Sequence, residues 1–260
     1  MTSRGETRGA GPAPVEIVGH RGFSAVAPEN TLSSVRAAIA AGADAVEWDL
    51  QTASCGTPVL MHDPRLGRTS NGFGPVRRRS AVQLRALDAG SWFGDEFVDE
   101  RIPTLEEALD LVAPTNLRIY SEVKGYRELE DLDRMVSIVE AAGLVDRVRF
   151  ISLDFGIVDR IAGRNEKLAV GHVVAESSDV DTALERAGRL DGRGMLDFDR
   201  RMVLDDPGLV DRASSVGAEV AVWTVDDPEE AERLYEAGVR RFTTNEVTAL
   251  MRWRAERREG

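Results

Sequence analysis

The sequence predicts an α/β fold, a (β/α)8 or TIM barrel with a small insertion after a hairpin of the second strand. Short apolar segments alternate with amphipathic helical segments along the whole chain of 260 residues. This alternation is typical of parallel strands joined by crossover helices, and about 250 residues is the usual size of one such barrel. Several predicted helices are followed by Gly, for example Gly42, Gly143, Gly217 and Gly238, as helix C-termini commonly are.

Nine segments have the composition of strands, one more than the barrel needs. They are 15–18, 45–50, 58–61, 117–123, 147–153, 168–174, 194–198, 219–225 and 239–243. The clearest amphipathic helices are predicted at 31–41, 104–112, 129–142, 206–216 and 228–237. The extra strand is explained by the spacing of the second and third segments.

Only seven residues separate Leu50 from Pro58, whereas a parallel crossover needs about a dozen or more. Residues 45–50 and 58–62 are therefore predicted to form an antiparallel hairpin. A turn centred near Ser54 and Cys55 places Glu47 opposite His62. Residues 64–103 break the alternation and are predicted to form the insertion over one end of the barrel, either as an inert cap or as a cover for the substrate.

The bulk composition restricts location and partners. Residues 1–14 lack the apolar stretch of a signal peptide and are predicted to be a disordered lead to a barrel domain at 15–260. No run of 18 apolar residues suggests a membrane span, and the single Cys55 excludes an intrachain disulfide. These features favour the cytoplasm. The net charge of -12 argues against nucleic acid or an anionic membrane as the main partner, and the oligomeric state stays open.

Two of the three histidines stand at predicted strand ends. His20 ends the first strand and His62 ends the hairpin, each followed by a charged residue. Because the C-terminal strand ends of a parallel α/β barrel face the active site, these imidazoles are predicted to act as general base and general acid. His172 lies within another strand and is predicted to be structural.

The acidic residues follow the strand alternation. Glu47 and Asp49 are two residues apart on one strand, so their side chains face the same side of the sheet, and Glu122 and Lys124 repeat that spacing later. Carboxylates inside a barrel need compensation. Three oxygen ligands suit one Mg²⁺ or Ca²⁺, whereas no His/Cys cluster has zinc spacing. The alternative is a buried salt-bridge network with Arg21 and Lys124.

The same two basic residues are the predicted phosphate ligands. Arg21 offers a planar fork of donors and Lys124 a point charge. Together with a divalent cation, they would locally offset the negative charge of the whole chain, which otherwise repels an anionic substrate.

A set of short motifs follows in order along residues 16–246. The motifs are HRG at 20–22, APENT at 27–31, EWDL at 47–50, GTPV at 56–59, HD at 62–63, RTSNG at 68–72, IPTLEE at 102–107, EVK at 122–124 and WTVD at 223–226. Each motif alone is weak, but the ordered set closely resembles the glycerophosphodiester phosphodiesterases.

This resemblance implies a (β/α)8 barrel that hydrolyses glycerophosphodiesters to sn-glycerol 3-phosphate and an alcohol, with one divalent cation. It gives the residues above the same roles as acid/base pair, metal ligands and phosphate ligands, and it adds Trp223 near the glycerol side of the substrate. By family analogy His20 is the base and His62 the acid, although the order could be reversed. Water and the 2-hydroxyl of the glycerol both stay open as the nucleophile.

Two positions depart from the family pattern. Asp226 stands where the family usually has Asn, and Glu246 stands where a basic residue followed by Pro is usual. Both add negative charge near the predicted mouth, which would tolerate a cationic alcohol such as choline or ethanolamine. The alternative is that both side chains face solvent and have no role.

Two other functions are compatible with the motifs. One is a non-catalytic barrel that binds a phosphodiester, although all the candidate catalytic positions are filled. The other is a related lyase that acts on lysophospholipids and leaves a cyclic phosphate. A lyase would need an exposed apolar rim, which Phe73, Trp92, Phe93 and Phe97 could supply, although they are expected to form the core of the insertion.

Overall fold

The computed structural model describes residues 14–259, which form a closed barrel surrounded by helices. The strands are β1 (Glu16–Gly19), β2 (Ala45–Thr52), β3 (Pro58–Leu60), β4 (Arg65–Leu66), β5 (Gly74–Pro75), β6 (Arg118–Val123), β7 (Val148–Ser152), β8 (Ala169–Val174), β9 (Gly194–Asp199), β10 (Glu219–Trp223) and β11 (Arg241–Thr244). β1 pairs in parallel with both β11 and β2, which closes a ring of eight strands. The predicted TIM barrel is confirmed. The predicted disordered lead, apart from Pro14, lies outside the described residues.

The described residues form ten α-helices. They are α1 (Leu32–Ala40), α2 (Ala81–Arg85), α3 (Leu105–Val112), α4 (Leu129–Ala141), α5 (Phe155–Arg164), α6 (Val180–Gly188), α7 (Arg200–Asp205), α8 (Gly208–Ser215), α9 (Pro228–Glu236) and α10 (Val247–Glu259). Five of the ten described helices, α1, α3, α4, α8 and α9, lie where the sequence predicted them. The Thr31 and Thr104 hydroxyls each accept from the backbone N–H three residues on and begin α1 and α3 as N-caps. Among the described residues, no helix is both long and apolar enough to span a bilayer.

The predicted hairpin exists, but its register is one residue away from the prediction. β2 and β3 pair antiparallel with Leu50 opposite Leu60 and Thr52 opposite Pro58. The turn is therefore centred on Cys55, with Gly56 in the left-handed region at φ +82°. Extending this register puts Trp48, not Glu47, opposite His62. The turn thus has an odd number of residues, a geometry that Gly56 permits. The sequence alone did not show whether this number was odd or even.

Strand alternation divides the core into two layers. Val46, Trp48 and Leu50 of β2 pack outward against the helices. A smaller set lies inside the barrel and comprises Val18, Ala45, Tyr120, Ile151, Val173, Met195 and Ala221. Since successive strand residues point to opposite faces, Glu47 and Asp49 face the barrel interior, as predicted.

Residues 64–103 form the insertion, which has a small core of its own. β4 and β5 pair there as a short antiparallel ribbon, and α2 follows. The core of the insertion includes Val59 and Met61 from the hairpin and comprises Ala53, Val59, Met61, Leu66, Val76, Leu84, Ala89 and Ile102. The hairpin thus connects this core to the barrel mouth, where His62 follows Met61.

Candidate active site

Three buried carboxylates meet at the C-terminal ends of β2 and β6. Asp49 pairs directly with Glu122 in the strand register, and Glu47 precedes Asp49 by two residues. One oxygen from each lies within 4.8 Å of the others. The three residues are at most 9% exposed. The sequence-predicted ligand set is therefore assembled in one place.

The predicted cations approach these carboxylates from two sides. Arg21 Nε lies 3.1 Å from Asp49 Oδ2, and Arg21 Nη1 donates to Glu29 at 2.8 Å. Lys124 Nζ lies 2.7 Å from Glu122 Oε1 and 3.5 Å from Asp49 Oδ1. Burial opposes charge on Lys124, yet Glu122 and Asp49 together raise its pKa. The salt-bridge network considered from the sequence is thus partly present.

That network does not neutralise the site. Glu47 Oε2 accepts from the Arg21 backbone N–H at 2.8 Å, whereas its buried Oε1 has no hydrogen-bond partner among the described residues. Burial, followed by the charges of Asp49 and Glu122, raises the pKa of Glu47 well above its ordinary value.

The balance of charged side chains around Glu47 also indicates that the site is not neutralised by the protein. In the ion-pair network and the carboxylate cluster, five carboxylates meet three cations, an excess of two negative charges. The groups are Glu29, Glu47, Asp49, Asp63 and Glu122 against Arg21, Arg68 and Lys124. An excess of two charges and an unbonded buried oxygen fit one divalent cation with oxygen ligands.

His20 lies at the end of β1 with one ring nitrogen already engaged. Its Nδ1 is 2.7 Å from Asn245 Oδ1, and its backbone N–H donates to Thr244 O at 2.8 Å. Burial, reinforced by the neighbouring Arg21, lowers the pKa of His20 to about 4. The ring is therefore neutral near pH 7 and can accept a proton.

His62 lines the same cavity as His20 and has a carboxylate partner. Its Nδ1 is 2.7 Å from Asp63 Oδ1, and Arg68 Nε donates to Asp63 Oδ2 at 2.8 Å. The hydrogen bonds from Arg68 hold the pKa of Asp63 down at about 2. The contact with Asp63 engages Nδ1 of the His62 ring, so Nε2 is the nitrogen left for proton transfer.

One cavity of about 260 Å³ brings together seven of the predicted site residues. They are His20, Arg21, Glu47, His62, Glu122, Lys124 and Trp223. The remaining wall of this cavity combines apolar Ile151, Leu153 and Val173 with polar Asp197, Thr224 and Thr243. A wider depression beside the insertion shares no lining residue with this cavity. His172 packs outside the barrel edge-on against the Phe155 ring at 4.9 Å, away from the cavity.

Sequence reasoning missed several residues around this cavity. Asn30 donates to Asp49 Oδ2 at 2.7 Å and accepts from the Asp49 N–H at 2.9 Å, so its amide orients that carboxylate. Glu29 and Arg68 are joined by two bonds of 2.8 Å. All three belong to quoted motifs, which was the available signal. Buried Asp197 also lines the cavity, and burial, followed by Glu122, raises its pKa to about 8.

The aromatic residues of the insertion are not part of the cavity wall. Trp92, Phe93 and Phe97 contact one another edge-on, with ring centroids 5.6 and 5.5 Å apart. Phe73 is 76% exposed and lies beneath the Arg79 guanidinium. The apolar rim considered for a lysophospholipid lyase is therefore not built from these side chains at this cavity.

Comparison with known proteins identifies the chain's relatives. The model of the glycerophosphoryl diester phosphodiesterase family matches residues 20–249. The chain belongs to this family. The glycerophosphodiester phosphodiesterase of Caldanaerobacter subterraneus subsp. tengcongensis is 28% identical over 239 residues, which cover 90% of this chain and 96% of that protein. Mouse glycerophosphodiester phosphodiesterase 1 is 44% identical over 117 residues, but these are only 35% of its length and 44% of this chain.

Solved structures of the family share the barrel. A phosphodiesterase of Oleispira antarctica, in complex with the product sn-glycerol-3-phosphate, has a TM-score of 0.84 and 28% identity, covering 92% of this chain and 96% of that one. The Thermotoga maritima glycerophosphodiester phosphodiesterase has a TM-score of 0.75 and 26% identity, covering 92% and 98%. The prediction of a glycerophosphodiester phosphodiesterase on a TIM barrel is confirmed.

Proposed function

We propose that the chain hydrolyses glycerophosphodiesters by acid–base catalysis between His20 and His62, with Glu47, Asp49 and Glu122 as ligands of one divalent cation. One observation carries the proposal: Glu47 and Glu122 line the same cavity as the two imidazoles, and Asp49 completes their carboxylate cluster. The product complex of the Oleispira antarctica relative supports sn-glycerol 3-phosphate as the product. The substrate is a small molecule, and residues 15–260 act as one catalytic domain.

Hard oxygen ligands favour Mg²⁺ or Ca²⁺ as the ion. When bound, it would supply charge stabilisation to the phosphate oxygens. Arg21 and Lys124 contact the same carboxylate cluster, and their positive charges would hold the anion and favour the charge that builds on it. The single, free Cys55 fits a reducing compartment, so we place the activity in the cytoplasm.

The two histidines divide the proton transfers. Neutral His20 accepts the proton of the attacking hydroxyl on Nε2, because Nδ1 is engaged by Asn245. The P–O bond to the new oxygen forms while the bond to the alcohol breaks, and His62 donates its proton to the leaving alkoxide. Both water and the glycerol 2-hydroxyl fit as the attacking group, and attack by the 2-hydroxyl gives a cyclic phosphate that water then opens. Trp223 and the apolar wall at Ile151 and Leu153 contact the carbon atoms of the substrate.

Release of glycerol 3-phosphate from glycerophosphocholine tests the function. We expect turnover with Mg²⁺ or Ca²⁺, its loss with excess EDTA, and its recovery when the ion is added back. Phosphorus NMR identifies the phosphate product. Absence of turnover with any divalent ion would favour the phosphodiester-binding barrel, and a cyclic phosphate that persists as the end product would favour the lyase.

A further inference from the structure

A short chain of hydrogen bonds links the loop after β10 to His20. Asp226 Oδ2 accepts from Asn245 Nδ2 at 2.8 Å, and Asp226 Oδ1 accepts from the Asn245 backbone N–H at 2.7 Å. The Thr244 hydroxyl also donates to Asp226 Oδ1, at 3.1 Å. On its other side, Asn245 Oδ1 lies 2.7 Å from His20 Nδ1 and accepts from the Ser24 hydroxyl at 2.9 Å.

The chemistry of these groups fixes their orientation. An ionised carboxylate can only accept hydrogen bonds, so the nitrogen of the Asn245 amide must face Asp226. The oxygen of the same amide must then face His20. Because that oxygen can only accept, His20 must carry its proton on Nδ1, which leaves the lone pair on Nε2.

We propose that Asp226 is a positioning residue that sets the tautomer of His20 through Asn245. This inference depends on the proposed role of His20 as the base. It assigns a role to a departure from the family pattern that could otherwise have been a free surface charge. Asp226 is exposed but engaged in three bonds, and Glu246 is exposed, with its backbone N–H donating to Thr244 Oγ1 at 2.9 Å.

The substitution Asp226→Asn makes the proposal testable, because it changes the donor pattern with almost no change of shape. The oxygen of the introduced amide keeps the bond from the Asn245 backbone N–H, so its nitrogen now faces the Asn245 side chain. Two facing donors are unfavourable, and Asn245 therefore turns its oxygen toward position 226 and its nitrogen toward His20. His20 Nδ1 must then accept, and its proton moves to Nε2.

The direct measurement is nitrogen NMR of protein labelled with ¹⁵N-histidine. Only three histidines are present, and the His20 signals are those lost in His20→Asn. We expect the proton on Nδ1 in the wild type and on Nε2 in Asp226→Asn. This readout is independent of turnover, so it separates failure of the tautomer proposal from failure of the proposed function.

Kinetics provide the second readout and a rescue. We expect Asp226→Asn to lower kcat about 10–100-fold with little change in KM, since the free Nε2 lone pair is then present only in the minor tautomer of His20 while substrate contacts remain. The double variant D226N/N245D exchanges amide and carboxylate, so an acceptor again faces His20 Nδ1. It should restore the Nδ1 tautomer and raise kcat above that of Asp226→Asn.

Asp227→Asn is the matched control. It removes the same charge one residue away, where Asp227 only caps α9 by accepting from the Glu229 N–H at 2.8 Å, and Asn caps a helix about as well. We expect wild-type kcat and an unchanged His20 spectrum. The proposal is overturned if Asp226→Asn keeps the proton on Nδ1, or if the double variant fails to restore it. Thermal unfolding of all variants reports whether each is folded.

Discussion

The two ends of the barrel contain buried charge of opposite balance. At the N-terminal ends of the strands, Glu16 is held by Arg118 at 2.8 Å, Arg241 at 3.2 Å and the Tyr120 hydroxyl at 3.2 Å. Arg241 also reaches the second carboxylate of this floor, Glu219, at 2.5 Å, and Arg149 pairs with it as well. Two carboxylates therefore meet three arginines, all supplied by strand residues of the barrel.

At the mouth, the ion-pair network and the carboxylate cluster have the reverse excess, with five carboxylates around three cations. Residues at the N-terminal face of a TIM barrel serve stability, while the C-terminal face carries the chemistry. Burial alone therefore does not show whether a carboxylate is structural or binds a ligand. Glu16 Oε2 forms ion pairs with two arginines, so this buried acid is structural. Glu47 Oε1 has neither a hydrogen bond nor an ion pair among the described residues, so this acid is available to a ligand.

The largest expected effect is at the mouth. We predict that His20→Ala and His62→Ala each lower kcat about 10²–10⁴-fold, the usual contribution of acid–base catalysis. Steady-state hydrolysis of glycerophosphocholine at saturating Mg²⁺ measures this effect, and circular dichroism controls for folding. Near-wild-type turnover in either variant would remove that histidine from the mechanism.

Loss of a carboxylate at the mouth should change the metal requirement of the enzyme, whereas loss of one at the other end of the barrel should not. We predict that Glu47→Gln and Glu122→Gln raise the Mg²⁺ concentration needed for half-maximal activity at least about ten-fold, because loss even of an outer partner of a metal ligand costs about 10–100-fold in affinity. Activity titrated against Mg²⁺ measures this.

Glu16→Gln is the matched control, a buried carboxylate of the same barrel at the other end. Its metal requirement should equal that of the wild type. If Glu47→Gln and Glu122→Gln also left the requirement unchanged, the salt-bridge interpretation of the mouth would be correct, and both ends would be structural.

The sequence predicted the barrel and the metal cluster because both depend on strand alternation. A period of two places Glu47 and Asp49 on one face regardless of where the strand exactly ends. The parallel arrangement then brings Glu122 next to Asp49. The histidines were found by the same logic, since strand ends meet at one face.

The features that were missed depend on loop geometry rather than on period. The hairpin register depends on whether the turn contains an odd or an even number of residues. The turn has five, centred on Cys55. The partners of the candidate site residues lie in loops, and nothing in their spacing shows which side chain each will reach. These partners are Asn30, Arg68 and Asn245. Asp226 was visible as a departure, but its bonds to Asn245 follow from the proximity of two loops, and these residues are 19 apart in sequence.

The smallest expected effect is the change in the free energy of unfolding caused by Glu47→Gln, and its sign depends on whether metal is bound. Burial raises the pKa of Glu47 well above the ordinary value of 4.5, so the folded protein binds this proton more tightly than the unfolded chain. The contribution of this bound proton to stability is fully present below pH 4.5 and is lost as the pH rises through the raised pKa of Glu47. In EDTA at pH 7, Glu47→Gln should therefore be more stable than the wild type, by about 1 kcal/mol or more.

Adding the ion should reverse this order. At about 100 times its dissociation constant, Mg²⁺ stabilises the wild type by about 2.7 kcal/mol, whereas the weakened site of Glu47→Gln gains less. Urea unfolding of both proteins at pH 5 and pH 7, with EDTA or Mg²⁺, measures all four differences. A wild type that is already the more stable protein in EDTA at pH 7 would mean that Arg21 and Lys124 satisfy Glu47 unaided. The mouth would then match the floor in its balance of charge, and no cation would be needed to explain it.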